Sequence, residues 1–261
     1  MDELKKGDFV TRKSHNHDTV FKIMNIKDDI YYLKGVDVRL YADAFEDDLD
    51  KLDEPLIEVE EDFIDKVRDN LIMDRSEFFY LPGRILHIDG DSDYLDRCLN
   101  FYKEAKVMAV GKMLKEEEIS MNLKRLLDDI KPDIVIITGH DAYYKNKGTQ
   151  TAAGSYKNSE NFIKSVREAR KYEKSHEKLV VIAGACQSNY EEIIKAGANF
   201  ASSPKRVNIH CLDPAIIAVT VSLTERNKQV DLISLLEKTK YGSDGMGGII
   251  SNGLMYVGYP R

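Results

Sequence analysis

The sequence has no long apolar segment. Its longest unbroken apolar runs, such as Ile134–Ile137, fall far short of the roughly 18–20 residues that a membrane-spanning helix requires. Residues 1–7 mix acidic and basic side chains, and no apolar block follows them, which excludes a secretory signal. We therefore expect a protein that stays in the cytosol and does not associate with a membrane.

Cysteine is scarce. The 261 residues include only Cys98, Cys186 and Cys211. An odd number of thiols in a chain without a secretory signal argues against a disulfide framework. The chain has neither a Cys-x-x-Cys pair nor a cysteine and histidine at zinc-ligand spacing, so we expect no structural metal and no cofactor. At least one thiol is then available as a reactive group.

Basic charge is not concentrated anywhere in the chain. The sequence has 38 Lys and Arg against 45 Asp and Glu, a net charge of −7. Residues 43–65 hold twelve of the acidic residues and a single base, Lys51, so this segment carries −11 and the remainder of the chain +4. A nearly neutral body without a dense basic stripe argues against nucleic-acid binding.

The patterns that are present divide the chain into three parts. Residues 1–42 contain short alternating runs, such as Val36–Ala42, separated by polar turns, and they predict a small SH3-like β-barrel. Residues 43–79 include the acidic segment and Pro55, and they predict a solvated connector or an exposed helix face. Residues 80–261 alternate apolar strands with amphipathic helices and form the third part.

The third part predicts a doubly wound α/β domain. Strands are expected at 84–88, 106–110, 134–138, 179–183, 199–201 and 207–211, and helices at about 92–104, 114–130, 159–175, 188–196, 214–224 and 228–239. Continuous apolar strands are typical of burial on both faces, and the strand–helix–strand rhythm predicts a mainly parallel sheet with flanking helices. In such sheets, ligands and chemistry gather at the carboxyl ends of the strands.

Two consecutive predicted strands end in reactive residues. His140 follows the third strand and Cys186 follows the fourth, each directly after a small residue, Gly139 or Ala185. If the strands are neighbours, their axes lie about 4.8 Å apart, so an imidazole and a thiol beyond their ends can meet directly or across a bound carbonyl. The small residues allow a sharp turn and close approach of a substrate. This arrangement indicates a nucleophile and its base.

The residues after Cys186 support the same hypothesis. Ser188–Glu191 has the form of a capping box, which predicts a helix that begins just beyond the thiol, and a helix N-terminus favours the thiolate. The alternative is that Cys186 is a small buried packing residue, as most unpaired cysteines are. Cys186 alone favours that alternative, but its pairing with His140 favours catalysis.

The other candidates are weaker. His210 and Cys211 are adjacent in a predicted strand, where neighbouring side chains point to opposite faces, so we interpret both as structural. Cys98 lies in a predicted helix and is interpreted as a packing residue. Gly242–Gly248 is rich in glycine but lacks the lysine of a phosphate-binding loop, which argues against nucleotide binding.

These motifs resemble those of known cysteine peptidases. A strand ending in His and a later strand ending in Ala-Cys resemble the caspase, gingipain and clostripain superfamily, in which the caspase His lies about 50 residues upstream of the Cys. Nearly the whole chain resembles the YabG family of sporulation-specific peptidases. The matching segments are Lys6–Val10, Ile134–Asp141, Val181–Ser188, Gly197–Pro204 and Tyr241–Gly248. The resemblance implies a caspase-like fold and a mother-cell protease that processes spore coat and cortex proteins, cutting after arginine.

The resemblance also implies roles for individual residues. Cys186 is expected to attack the scissile carbonyl, with His140 as acid and base. The oxyanion hole would be built from the backbone N–H groups of Asp141 and Cys186, although Asp141 stands where caspase-like enzymes usually have glycine. Binding of an arginine substrate calls for a carboxylate, for which we expect Asp89 first and Asp91 second. The alternative role for Asp91 is to cap the next helix.

Other interpretations stay open at this point. Residues 142–158 predict either a flap that contacts the substrate or a long disordered connector. A receiver-like signalling domain would use Asp89 and Asp91 to bind Mg²⁺ and Lys205 near the fifth strand, but the third strand ends in Thr-Gly-His rather than a phosphoacceptor aspartate. A third possibility is a non-catalytic scaffold that binds partners through its barrel and acidic segment.

Overall fold

A computed structural model describes residues 4–53, 60–68 and 78–259. The chain divides into two compact units, Met1–Val59 and Glu60–Arg261. The first contains an antiparallel sheet and the second a mixed, mostly parallel sheet flanked by helices. The prediction of an N-terminal β unit followed by an α/β unit is thereby confirmed.

The N-terminal unit is a five-stranded antiparallel sheet. Its strands are β1 (Phe9–Arg12), β2 (Phe21–Lys27), β3 (Ile30–Gly35), β4 (Tyr41–Phe45) and β5 (Leu49–Leu52), in the order β4-β3-β2-β1-β5. Asp28 and Asp29 join β2 to β3 with φ values of 52° and 60°, as a tight two-residue turn requires. The apolar side chains of Val10, Phe21 and Leu33 form the centre of its core. Closure into an SH3-like barrel stays a prediction.

The sheet continues beyond residue 42, where the sequence analysis ended the barrel. Residues 36–40 form a turn rather than a strand, because the N–H of Gly35 donates to the carbonyl of Leu40 at 2.7 Å. The chain then returns to the sheet as β4 and β5. The acidic residues make these strands hard to recognise in the sequence. In the turn between them, Asp48 accepts hydrogen bonds from Ser14. Of the rest of the predicted connector, residues 54–59 and 69–77 lie outside the described residues.

The second unit has eight strands and eight helices among the described residues. The strands are β6 (Phe79–Leu81), β7 (Ile85–Asp89), β8 (Ala109–Met113), β9 (Ile134–Thr138), β10 (Val180–Ala183), β11 (Phe200–Ser202), β12 (Met246–Gly248) and β13 (Tyr256–Gly258). The helices are α1 (Glu60–Arg68), α2 (Ser92–Glu104), α3 (Glu116–Ile130), α4 (Ser159–Tyr172), α5 (Tyr190–Lys195), α6 (Asp213–Leu223), α7 (Leu232–Glu237) and α8 (Gly242–Gly245).

The large sheet has the order β12-β11-β10-β9-β7-β8. The five strands β8, β7, β9, β10 and β11 are parallel to one another, and β12 joins the edge antiparallel to β11. Val135 and Ile137 of β9 pack in one core with α3 and α4. The intervening residues of β9 point to the opposite face, where α2 and α6 pack. The inner strands β7, β9, β10 and β11 are therefore buried on both sides, as their apolar sequences predict, whereas the edge strand β8 is partly exposed.

Two predicted strands differ from the structure. The second strand begins at Ala109 rather than Lys106, because Lys106 has a φ of 59° and still hydrogen-bonds to the end of α2. Residues 207–211 do not join the large sheet. The position beside β11 belongs to β12, whose glycines give little strand signal in the sequence.

Candidate active site

The ends of β9 and β10 lie side by side. The two strands are parallel neighbours in which Ile137 pairs with Ala183, and the N–H of Gly184 donates to the carbonyl of Ile137 at 3.1 Å. His140 and Cys186 each follow three residues after their member of that pair. The expectation that both residues follow neighbouring strands at one edge of the sheet is therefore confirmed.

His140 is held through both its ring and its backbone. Its Nε2 lies 3.1 Å from Oδ2 of Asp91, and its backbone N–H donates to Oε1 of Glu116 at 2.7 Å. Its carbonyl accepts a hydrogen bond from the Asn158 amide at 2.8 Å. Because the side chain is only 10% exposed, these contacts orient an imidazole that has little contact with water.

Glu116 fills the crevice between β7 and β9. The chain passes from β7 to β8 on one side and then to β9 on the other, so this crevice is the switch point at which doubly wound sheets bind ligands. A Cβ added at Gly139 would lie 2.3 Å from Oε1 of Glu116, and one added at Gly90 would lie 2.5 Å from it. The space beside Gly139, which the sequence analysis assigned to a substrate, is occupied by this carboxylate.

Asp89 and Asp91 both have partners inside the protein. Asp91 caps α2, since its Oδ1 accepts from the N–H of Asp93 at 3.0 Å, while its Oδ2 contacts His140. Asp89 is fully buried, and its carboxylate accepts hydrogen bonds from the Thr138 hydroxyl at 2.9 Å and from the Asp91 N–H at 3.0 Å. The helix-capping role considered for Asp91 is confirmed.

Cys186 has no exposed surface. The N–H of Ile209 lies 3.3 Å from its Sγ, and the thiol points back to the carbonyl of the same residue at 3.8 Å. The next residue, Gln187, has a φ of 59°, and its N–H donates to the Ser203 hydroxyl and the Val207 carbonyl. Backbone strain of this kind in a non-glycine residue clusters at functional sites.

The helix after Cys186 begins later than predicted. α5 starts at Tyr190, and Asn189 rather than Ser188 caps it. The Ser188 hydroxyl instead accepts the N–H of Ala185 at 2.9 Å and donates to Asp141. The capping-box interpretation of Ser188–Glu191 is therefore wrong, because that serine closes the cysteine loop and makes a tertiary hydrogen bond.

Asp141 is a buried carboxylate with four hydrogen bonds. Its Oδ1 accepts the N–H groups of Ala142 at 2.9 Å and Asn158 at 2.7 Å, and its Oδ2 accepts the hydroxyls of Ser159 and Ser188. Burial raises the pKa of Asp141, and these hydrogen bonds oppose the rise. The side chain thus connects the loops that carry His140 and Cys186, a role separate from the one expected for its backbone N–H in the oxyanion hole.

Residues 142–158 fold back on themselves. Tyr143 and Tyr156 form an antiparallel bridge, and the Arg206 guanidinium donates to the Tyr156 hydroxyl at 2.8 Å and pairs with Glu191. The structure therefore gives this loop an ordered path against the residues that follow Cys186. A role as a substrate flap stays a prediction.

The two other thiols and His210 have packing contacts of their own. Residues 207–211 are not a strand of the large sheet, so His210 and Cys211 do not point to opposite faces of a sheet as predicted. Both residues are buried. The His210 ring stacks on Phe63 at 4.7 Å, and the Cys98 thiol donates to the Cys211 carbonyl at 3.4 Å. These contacts suit packing residues.

The residues that sequence reasoning missed are Glu116, Asn158, Ser159 and Ser188 as partners of the site. All four begin a helix or lie just before one, where polar residues are ordinary, so nothing local distinguished them. Within the described residues, no group of three or more His, Cys, Asp or Glu side chains is arranged to hold a metal ion. None of the described helices is both long and apolar enough to cross a membrane.

Comparison with known proteins identifies a related family. The sequence model of a family described as YabG peptidase U57 matches residues 5–75 and 57–260. The chain is 38% identical over 285 aligned residues to the sporulation-specific protease YabG of Bacillus subtilis (strain 168), an alignment that covers 99% of this chain and 98% of that protein. The similarity therefore includes both units and the candidate site.

Proposed function

Because the chain belongs to the YabG peptidase U57 family, we propose that it is a cysteine endopeptidase that processes spore coat and cortex proteins during sporulation and cuts after arginine. One observation carries the catalytic assignment. His140 and Cys186 each lie three residues beyond a pair of opposed residues, Ile137 and Ala183, in two neighbouring parallel strands. The family and the protease from Bacillus subtilis support peptidase activity and the link to sporulation.

The proposed reaction is acyl transfer through a thioester. The Cys186 thiolate attacks the scissile carbonyl, and the backbone N–H groups of Asp141 and Cys186 stabilise the resulting oxyanion. His140 donates a proton to the leaving amine, so that the C–N bond breaks. It then takes a proton from water, which hydrolyses the thioester and releases the carboxylate product and the thiol.

Asp91 is assigned to orient the imidazole. Its carboxylate engages Nε2 of His140 at 3.1 Å, so the proton transfers are assigned to Nδ1. The same carboxylate caps α2, which fixes its own position. A buried acceptor on one ring nitrogen selects the tautomer and stabilises the imidazolium that forms during the reaction.

Substrate binding requires the contact between Cys186 and Ile209 to open. In the resting structure Sγ is enclosed and hydrogen-bonded to the backbone of Ile209. The substrate carbonyl must replace this partner, so we propose that residues 207–209 withdraw when a peptide binds. Arg206, held by Glu191 and Tyr156, is the anchor of this segment.

The preference for arginine comes from the family resemblance. Asp89 and Asp91 were the expected guanidinium ligands, but their burial and internal hydrogen bonds favour supporting roles for both. Cleavage of matched peptides with Arg, Lys or Gln before the scissile bond tests the preference directly. A rate that is highest for Arg supports it, and equal rates contradict it.

The deciding experiment compares three variants on one fluorogenic peptide amide with arginine before the scissile bond. Cys186→Ala and His140→Ala should each abolish cleavage. Cys98→Ala is the matched control, because Cys98 is also a fully buried thiol with a backbone partner, and it should cleave like the wild type. Cleavage by Cys186→Ala with an unchanged circular dichroism spectrum would contradict cysteine catalysis.

The receiver-like alternative fits the strand order but not the chemistry. The order β8-β7-β9-β10-β11 is the 2-1-3-4-5 order of flavodoxin-like sheets, which signalling receivers share. However, the third strand ends in Thr138, Gly139 and His140 rather than a phosphoacceptor aspartate, and Asp89, the expected Mg²⁺ ligand, is fully buried and hydrogen-bonded to Thr138 and Asp91. Transfer from a small phosphodonor that is lost in Asp89→Asn would favour the receiver after all.

A further inference from the structure

A closed network of buried polar groups joins the loops on either side of the candidate site. It consists of the Asp141 carboxylate and the hydroxyls of Ser159 and Ser188, all of which are buried. Each hydroxyl donates to Oδ2 of Asp141, and the carboxylate completes its hydrogen bonding with two backbone N–H groups. A fully satisfied network of this kind is rigid, because every member loses a partner if one moves.

The two hydroxyls reach the chain on both sides of Cys186. The Ser188 hydroxyl accepts the N–H of Ala185 at 2.9 Å, and the Ser159 hydroxyl accepts the N–H of Asn189 at 2.8 Å. Each serine hydroxyl thus links one backbone N–H of the cysteine loop to the Asp141 carboxylate. The beginning and the end of the segment 185–189 are fixed to the same side chain.

The other half of the network fixes the histidine loop. Asp141 follows His140 directly, and its Oδ1 accepts the N–H of Asn158 at 2.7 Å. The Asn158 side-chain amide returns to the His140 carbonyl at 2.8 Å. The backbone of the histidine is therefore enclosed between the carboxylate and the start of α4.

We propose that the Asp141 side chain is a positioning residue, which sets the cysteine loop relative to His140 through Ser159 and Ser188. This inference rests on the proposed peptidase function. It gives the Asp141 carboxylate a positioning role that is separate from the role of the Asp141 backbone N–H in the oxyanion hole. Displacement of reacting groups by about 1 Å can lower the rate about 100-fold without loss of substrate binding. The network controls a displacement of that kind, because its hydrogen bonds connect the two loops.

The charge state of Asp141 follows from its neighbours. Four donors point at the two carboxylate oxygens, and a protonated carboxyl would turn one of its oxygens into a donor that faces another donor. The network therefore favours the ionised form. Asp141→Asn keeps the size of the side chain but presents an amide N–H₂ to two of those donors.

The test measures kcat and KM for Ser188→Ala and Ser159→Ala with the fluorogenic arginyl peptide. We expect kcat to fall by about 10-fold to 100-fold, with KM within twofold of the wild type. The matched control is Ser165→Ala, because Ser165 is a buried serine of α4 whose hydroxyl donates to the Asn161 carbonyl of its own helix. Its kcat should not change, although its loss of thermal stability should be similar.

A double-mutant cycle separates positioning from general destabilisation. If Ser188 acts through Asp141, Ser188→Ala should lower kcat much less in the Asp141→Asn background than in the wild type, whereas Ser165→Ala should have no effect in either. Equal effects of Ser188→Ala in both backgrounds, or equal kcat for Ser188→Ala and Ser165→Ala, would overturn the inference. Those results leave the peptidase assignment intact, since that assignment fails only if Cys186→Ala still cleaves.

Discussion

Replacement of Gly139 by alanine tests how the crevice between β7 and β9 is filled. The new Cβ would lie 2.3 Å from Oε1 of Glu116 and 2.9 Å from both its Cγ and its Cδ. The backbone of Gly139 is not in the left-handed region, so the conflict is with the Glu116 side chain rather than with the φ angle. The carboxylate must then leave the crevice and give up its 2.7 Å hydrogen bond from the His140 N–H.

The expected cost follows from that hydrogen bond. A hydrogen bond to a charged group contributes about 1.5–3 kcal/mol, and a compatible Gly→Ala change returns about 0.4–1 kcal/mol by restricting the unfolded chain. Gly139→Ala should therefore lower the free energy of unfolding by about 1–2 kcal/mol. It should also lower kcat, because His140 loses its backbone anchor.

The assay is urea unfolding followed by circular dichroism, since the chain contains no tryptophan. Gly154→Ala is the matched control: its Cβ would meet Glu160 at an ordinary 3.7 Å, so it should be neutral or slightly stabilising. In a Glu116→Ala background, Gly139→Ala should cost nothing further. An equal cost with and without the Glu116 side chain would refute the reasoning.

Three further outcomes are expected. Because burial raises the pKa of Asp141 and the Ser188 hydroxyl opposes that rise, activity should be lost as the pH falls through this raised pKa, and the acid limb of kcat in Ser188→Ala should lie at higher pH. Asp91→Asn should keep α2 capped but lower kcat by about 100-fold or more, because the tautomer of His140 is no longer selected; an unchanged kcat would remove Asp91 from the mechanism. Arg206→Ala should speed alkylation of the proposed nucleophile by iodoacetamide, measured by peptide mass spectrometry, and an unchanged rate would show that the ion pair does not hold the covering segment.

The parts of the fold that the sequence predicts are those with a strong apolar signal. β9 has the predicted bounds, because Ile134–Thr138 is buried on both faces and no polar residue interrupts it. β12 is not predicted, because the composition of Met246–Gly248 does not favour a strand. These residues form a strand because they pair with β11. β5 was missed because its acidic neighbours outweigh a single inward-facing leucine, Leu49.

The same distinction applies to the site. His140 and Cys186 could be placed at one sheet edge because the topology of parallel strands determines where their ends lie. Glu116 and Ser159 could not be connected to them, because each reaches the site from the start of a helix on a separate crossover. Such contacts depend on helix position and side-chain conformation, which a single sequence does not specify.

The pairing of β6 with β13 has a consequence for the order of folding. Residues 79–81 pair with residues 256–258, so this ladder joins opposite ends of the α/β unit. At about 5–20 residues per second, synthesis of the intervening chain takes roughly 10–35 s, and β6 cannot pair with β13 during that time. The carbonyl of Gly245, which accepts the Ser203 N–H at 2.6 Å and thereby supports the loop around Cys186, emerges equally late. The loop around Cys186 therefore gains this support only after the last strands of the α/β unit have been made.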